Sequence, residues 1–585
     1  MATDLPAQAD TTTSVPRRVP EAGAPGRRER LVVAAVTALF GVLLVLWAAL
    51  LPAFQAPDER AHFDAAVHLA IGDGWPDPGD MHLLRAVDQA GSGAGPSMGD
   101  LLRSTGSAEA DTVNQMTQHP STYYVLAGGV LRAVDFTAHR VDVDVVLVRL
   151  FSALFVLPLP ALAWATVRRV TGSPRAAVVG AFAVLAVPEL ASIGASVSND
   201  PPVVLFAATT VWLASRVLTG DARTRTAVAL AVSLGVAILW KGTALPLIPF
   251  VAVVVLVGAS RRTGVVARLL RALWVLAIAA LIGAWWWLRN LVVFHTLQPS
   301  GFESIRPPQP FPAGTGPDPA AFADVSWTTI ARTFWGSFGG RAQWILSPVV
   351  FETATVLALG AVLVWGFRRA PGLRVAVALA VLPLTVFVFQ TANAWGSYRS
   401  TTFIGATQGR YYFPALLVFV TLSAIAWRRA VGTDRARRRF ATVVSAIAVA
   451  LALYGPFFTF TWIGESGRTR VTSAGLAALA ASTPAPVPGL VAAWLVALVL
   501  AVTAVLLSRG VPSVQWGPGI PGVPSVQWDP GVPGVPDTEP VGAPAGHAAA
   551  GDGGAPAGHD PDHDHDHDHG TTSDPGSVPD RGTTA

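Results

Sequence analysis

One pattern limits the fold more than any other: apolar stretches poor in charge, each about as long as a bilayer is thick, recur along the chain. The first, Leu31–Ala53, runs 23 residues without a charge, and roughly 20 apolar residues suffice to span the hydrocarbon core. Read the same way, about twelve segments qualify: 31–53, 145–167, 176–196, 201–218, 226–240, 242–259, 270–292, 348–367, 374–391, 409–427, 440–460 and 488–508. Only 13% of the 585 residues are charged, against roughly a quarter in soluble domains. The expectation is an all-α, polytopic membrane protein. Cysteine is absent, so disulfides and thiolate chemistry are excluded.

Arginines set the orientation. The alternate short loops carry Arg168, Arg169 and Arg175; Arg216, Arg223 and Arg225; Arg261, Arg262, Arg268 and Arg271; Arg368, Arg369 and Arg374; and Arg428, Arg429, Arg435, Arg437, Arg438 and Arg439. The positive-inside rule makes these loops cytoplasmic, with both termini. It also accounts for the net charge of +4 without nucleic acid as a partner. Residues 1–30 read as a disordered basic cytoplasmic segment. The apolar run after it is too long for a signal peptide core, so it is expected to stay as a helix.

The other face receives a first external loop, 54–144, and a second, 293–347, within a membrane domain spanning 31–508. Part of the first loop, Asn114–Val134, reads as an amphipathic helix at the membrane surface. Residues 509–585 read as a disordered cytoplasmic tail. Near-copies of a Gly-Val-Pro-Ser-Val-Gln-Trp unit follow one another at Gly510 and Gly522, and so much Pro and Gly cannot hold a helix. His563, His565, His567 and His569 alternate with Asp further on. Such a run could bind zinc or nickel adaptably, but a solvated low-complexity tail is the plainer reading.

Polar residues gather at the external ends of the apolar runs. Pro57-Asp58-Glu59-Arg60-Ala61-His62 follows the first. A helix starting at Pro57 would put Asp58, Glu59 and His62 on one face, with the carboxylates ionised at its positive end. An ionised carboxylate held there can take a proton from a hydroxyl. Acidic capping of a solvated helix is the alternative. Lys241, Arg289 and Arg410 are candidate phosphate contacts, or else headgroup anchors. Asn199, Asp200 and Tyr411 lie at the same face. His119 with Tyr123 and Tyr124 reads as an acceptor or lipid path, or as an interfacial aromatic belt; Trp285-Trp286-Trp287 reads as belt. Few ionisable groups fall at mid-membrane depth, where a transporter would hold its substrate.

Pro57-Asp58-Glu59-x-x-His62-Phe63, Gln118-His119-Pro120, Ser198-Asn199-Asp200, Arg289-Asn290 and Gln408-Gly409-Arg410-Tyr411 together resemble a family of bacterial membrane proteins catalogued as a domain of unknown function. That family resembles in turn the GT-C superfamily of integral-membrane glycosyltransferases, which includes protein O-mannosyltransferases and aminoarabinose transferases. The resemblance covers about residues 31–460. It implies hexosyl or pentosyl transfer from a polyprenyl-phosphate donor to an extracytoplasmic glycan, lipid or protein acceptor at the plasma membrane. Asp58 is then the base and Glu59 its support, with His62, His119, Asn199, Asp200, Lys241, Arg289, Arg410 and Tyr411 binding substrate. Some GT-C members need a divalent cation, Mg or Mn, and others do not; Asp58, Glu59 and His62 alone make too few ligands for one. The competing readings are a transporter or flippase of a lipid-linked precursor, and a scaffold acting through the tail.

Overall fold

The computed structural model describes residues 24–258, 263–299, 307–338, 343–368 and 372–512. All belong to one compact unit, Met1–Pro518; the other, Gly519–Ala585, lies outside the described residues. The Pro/Gly repeat from Ser513, the His/Asp run and residues 1–23 therefore fall outside them as well.

Among the described residues nine helices are long and apolar enough to cross a membrane, and Pro174–Leu185 with Pro188–Gly194 makes a tenth span bent by 63°. The bend has a sequence cause: Pro188 disfavours helical backbone at Val187 and removes a helical donor. Two more of the expected segments, Thr224–Ile238 and Gly242–Gly258, are helical but shorter. All twelve expected segments are thus helical. The chain is an all-α multi-pass membrane protein.

The bundle has two kinds of apolar surface. Phe40, Leu43, Trp47, Phe182 and Phe250 are fully buried in its core, while Leu273, Leu281 and Val292 stand 65–84% exposed. A bilayer covers such a surface at no cost in exposed backbone, because helices satisfy their own polar groups. Small residues let helices approach closely. A Cβ on Gly235 would lie 2.8 Å from the Ala279 carbonyl, and one on Gly283 would lie 2.2 Å from the Gly235 carbonyl. These two glycines therefore set the crossing of Thr224–Ile238 and Val265–Gly283.

Residues 54–144, expected as a loop, are folded. Helix Glu59–Ile71 packs on Thr122–Ala133, and the strands His82–Leu84 and Glu109–Val113 pair antiparallel beside it. The buried Asp64 carboxylate ties them together, accepting from the Leu84 amide at 2.8 Å and from Asn114 Nδ2 at 2.7 Å. In Thr122–Ala133, Tyr123 and Tyr124 are buried while Val125 and Leu126 are half exposed, the two-faced pattern of an interfacial helix. The second long loop contributes helix Pro319–Trp335 and a short hairpin, Ser337–Phe338 with Gln343–Trp344.

Candidate active site

Four charged side chains from four separate parts of the chain form an alternating row. Arg410 donates from Nη2 to Asp58 Oδ2 at 2.6 Å. Its Nη1 faces Asp200 Oδ2 at 3.7 Å, and Lys241 Nζ donates to Asp200 Oδ1 at 2.7 Å. The side chains of Arg410, Asp200 and Lys241 are 3–8% exposed, whereas that of Asp58 keeps 39%. The row therefore runs from a solvent-facing carboxylate into the protein.

Each member is set by a helix end. Asp58 precedes Glu59–Ile71 and adopts a left-handed conformation, φ 59°, which Asp tolerates better than most residues. It lies outside the helix the sequence predicts for it, because the turn that admits Glu59 leaves Asp58 as the pivot. Asp200 begins helix Asp200–Leu218, Lys241 precedes the turn Gly242–Ala244, and Arg410 lies in the 3₁₀ segment Gly409–Ala415. Gly409 is required there: a Cβ would sit 2.2 Å from the Phe334 amide nitrogen.

Several buried polar atoms of the cluster have no hydrogen-bond partner: Arg410 Nε and Nη1, Asp200 Oδ2, Asn199 Oδ1 and His119 Nδ1. Buried polar groups are nearly always paired, so five such atoms around one row leave hydrogen-bonding capacity for a polar ligand. The electrostatics agree. Burial works to raise the Asp58 carboxyl, but the charge of Arg410 and its hydrogen bond, helped by His62 and Lys241, bring it down to about 2. Burial first, then the Lys241 charge, push His62 down to about 3 against the pull of Asp58 and Asp200. Its imidazole is neutral, with Nδ1 and Tyr124 Oη 2.9 Å apart. Burial and Lys241 likewise hold His119 well below its ordinary value. Both imidazoles can therefore accept as well as donate.

Glu59 has a different setting. It is 1% exposed and bound by Arg149 through Nε at 2.8 Å and Nη2 at 2.6 Å. It also accepts from the Val197 amide at 3.0 Å. Arg149 spends its other donors on the carbonyls of Ala48, Leu51 and Pro52. This buried pair clamps the end of helix Arg27–Leu50 to the start of Glu59–Ile71, and both to the segment leading into Asp200.

Residues 139–287 match the family model described as dolichyl-phosphate-mannose-protein mannosyltransferase. That stretch supplies Arg149, Asn199, Asp200 and Lys241. The chain resembles the GT-C membrane glycosyltransferases. Among solved structures, ArnT from Cupriavidus metallidurans bound to undecaprenyl phosphate is 17% identical, with TM-score 0.44, over 82% of this chain and 75% of that one. The Archaeoglobus fulgidus oligosaccharyltransferase tethered with an acceptor peptide is 12% identical, with TM-score 0.39, over 78% of this chain and 59% of its own. Among curated proteins no relative matches.

Of the residues singled out by sequence, Asp58, Asp200, Lys241 and Arg410 meet directly. Tyr411 lies under the Arg410 guanidinium, 5.5 Å from ring centroid to Cζ, and Asn199 donates to the Trp240 carbonyl at 3.4 Å. Arg289 pairs instead with Asp77 at 2.6 Å; among the described residues it has no ion pair with Asp58 or Asp200. Tyr123 and Tyr124 are fully buried, not a belt: Tyr123 Oη accepts from the Ser198 amide at 3.1 Å. Of the three tryptophans only Trp285 is exposed, at 50%, as a belt residue would be; Trp286 and Trp287 are buried. No group of three His, Asp or Glu side chains among the described residues is arranged to hold a metal ion, and Asp58 and Asp200 already face cations. The donor set does not fit a divalent ion held by protein alone.

Proposed function

We propose that the chain is a membrane glycosyltransferase that moves a sugar from a polyprenyl-phosphate donor to an extracytoplasmic glycan, lipid or protein acceptor. The observation that carries this reading is Arg410, bound to the exposed Asp58 carboxylate while two of its buried donor nitrogens make no hydrogen bond. Those nitrogens and Lys241 suit a phosphate, and Asp58 suits an acceptor hydroxyl.

The step follows from the arrangement. The acceptor oxygen bonds to the anomeric carbon, and its proton passes to Asp58. The bond from that carbon to the phosphate oxygen breaks, and its electron pair leaves on the phosphate, stabilised by Arg410 and Lys241. A carboxyl held at about 2 is a weak base, and a donor phosphate competing for Arg410 loosens that hold. Donor binding and base activation are then one event. Glu59 and Arg149 position Asp58 without touching substrate. In this reading the site is extracytoplasmic and both termini are cytoplasmic.

Mass spectrometry of polyprenyl-phosphate sugars and envelope glycans from a deletion strain tests this. The expected result is an accumulated donor and a glycoconjugate lacking one sugar, both restored by the wild-type gene. Unchanged pools of both would overturn it.

A further inference from the structure

At the opposite end of the bundle from Asp58, the start of helix Asp434–Glu465 carries a second, unrelated cluster of cations. Most of them are engaged. Arg428 donates to the Thr171 carbonyl, Arg429 to that of Gly366, and Arg437 to those of Val431 and Arg428. Arg438 faces Asp434 at 3.8 Å. Arg435 and Arg439 have no hydrogen-bond or ion-pair partner among the described residues. One helical turn apart, they share a face, and both line a shallow, open groove of about 490 Å³ together with Thr433, Phe440 and Val443.

The groove continues into an apolar strip on the same helix. Phe440, Val443 and Ile447 are 36%, 54% and 53% exposed. At a rise of 1.5 Å per residue they cover about 10 Å, most of one leaflet, which is about half of a roughly 30 Å hydrocarbon core. Trp427 stacks on Phe440, with centroids 5.2 Å apart, and stiffens the upper end. Two unspent guanidiniums above an apolar strip match a molecule with an anionic phosphodiester at one end and a hydrocarbon chain at the other.

We propose that this groove binds one anionic glycerophospholipid, its phosphodiester on Arg435 and Arg439 and an acyl chain along Phe440, Val443 and Ile447. The site is independent of the sugar chemistry and stands or falls apart from it. Native mass spectrometry of the full chain, titrated with phosphatidylglycerol or phosphatidylcholine, tests it. One phosphatidylglycerol should bind at least about tenfold more tightly than phosphatidylcholine, a difference of ~1.4 kcal/mol. The double variant Arg435→Gln/Arg439→Gln should lose that preference. Val443→Asp, which keeps both arginines but spoils the strip, should weaken phosphatidylglycerol similarly, and inorganic phosphate should not displace the lipid. Equal binding of the two lipids, an unchanged preference in the double variant, or full displacement by inorganic phosphate would each overturn the proposal.

Discussion

Asp58 and Arg410 restrain one another, and their substitutions should differ in kind. Asp58→Asn removes the proton acceptor but frees Arg410, so sugar transfer should fall by about 10²–10⁴-fold while donor binding holds or tightens. Single-turnover transfer beside a donor-binding titration checks both; a variant that transfers at the wild-type rate would remove Asp58 from the chemistry. The pH dependence has a definite sign. Asp58 is depressed to about 2 in the free protein, so its charged form is present above that value and lost as pH falls through it. With donor phosphate competing for Arg410, the carboxyl titrates higher. The acid limb of kcat should therefore lie at higher pH than that of kcat/KM. Coincident limbs would show that donor binding leaves the Asp58–Arg410 pair intact. Arg410→Lys keeps the charge but loses the fork, and should raise the donor KM more than it lowers kcat.

Helix Glu59–Ile71 is the element on which the site turns, and it is fixed at both ends. At its start, Arg149→Ala would leave Glu59 buried without its cation and three carbonyls without a donor, at a cost of about 3–5 kcal/mol. Thermal unfolding in detergent should show the loss, with Arg149→Lys in between. At its end, His68 Nδ1 donates to Asp73 at 2.9 Å and Nε2 to the His82 carbonyl at 3.0 Å. Both ring nitrogens face acceptors, so the imidazolium is favoured. Burial opposes it, but Asp64, then Asp73 and the His82 carbonyl, raise His68 to about 9. A raised folded value means stabilisation complete below about 6.5, the unfolded value, and lost as pH rises through about 9. Amide exchange in residues 59–133 should accelerate between pH 8 and pH 10 beyond the intrinsic rate, and His68→Gln should abolish that excess. Much of this element was legible: the acidic Pro57–His62 motif marks a helix start after the first span. The left-handed turn at Asp58 was not, because helix-start signals do not say which residue is the pivot. Nor was the Glu59–Arg149 pair, since nothing local links residues ninety apart. The same limit applies to Arg289, whose partner Asp77 is supplied by the folding of residues 54–144.

Among the described residues, two helices each run from the Asp58 row to an arginine cluster at the other end of the bundle. Helix Gly409–Ala430 begins beside Arg410 and finishes at Arg428 and Arg429, and Asp200–Leu218 runs from Asp200 to Arg216. Nineteen residues rise about 28 Å, close to a hydrocarbon core. The Asp58 row and the Arg435 groove therefore lie at opposite ends of these helices, about one hydrocarbon thickness apart. The periodic arginine loops were readable in sequence because they depend on composition alone; the meeting of Asp58, Arg410, Asp200 and Lys241 depends on packing that no single segment encodes. The chain contains no cysteine, so one introduced thiol reports its side without background. Ser107→Cys in the folded region 54–144 and Gly432→Cys beside the groove are both at exposed positions. In intact cells a membrane-impermeant maleimide should label Ser107→Cys at once and Gly432→Cys only after permeabilisation. The reverse pattern would put the Asp58 row inside the cell, where an extracytoplasmic acceptor could not reach it; labelling of both from one side would break the bundle's assigned polarity altogether.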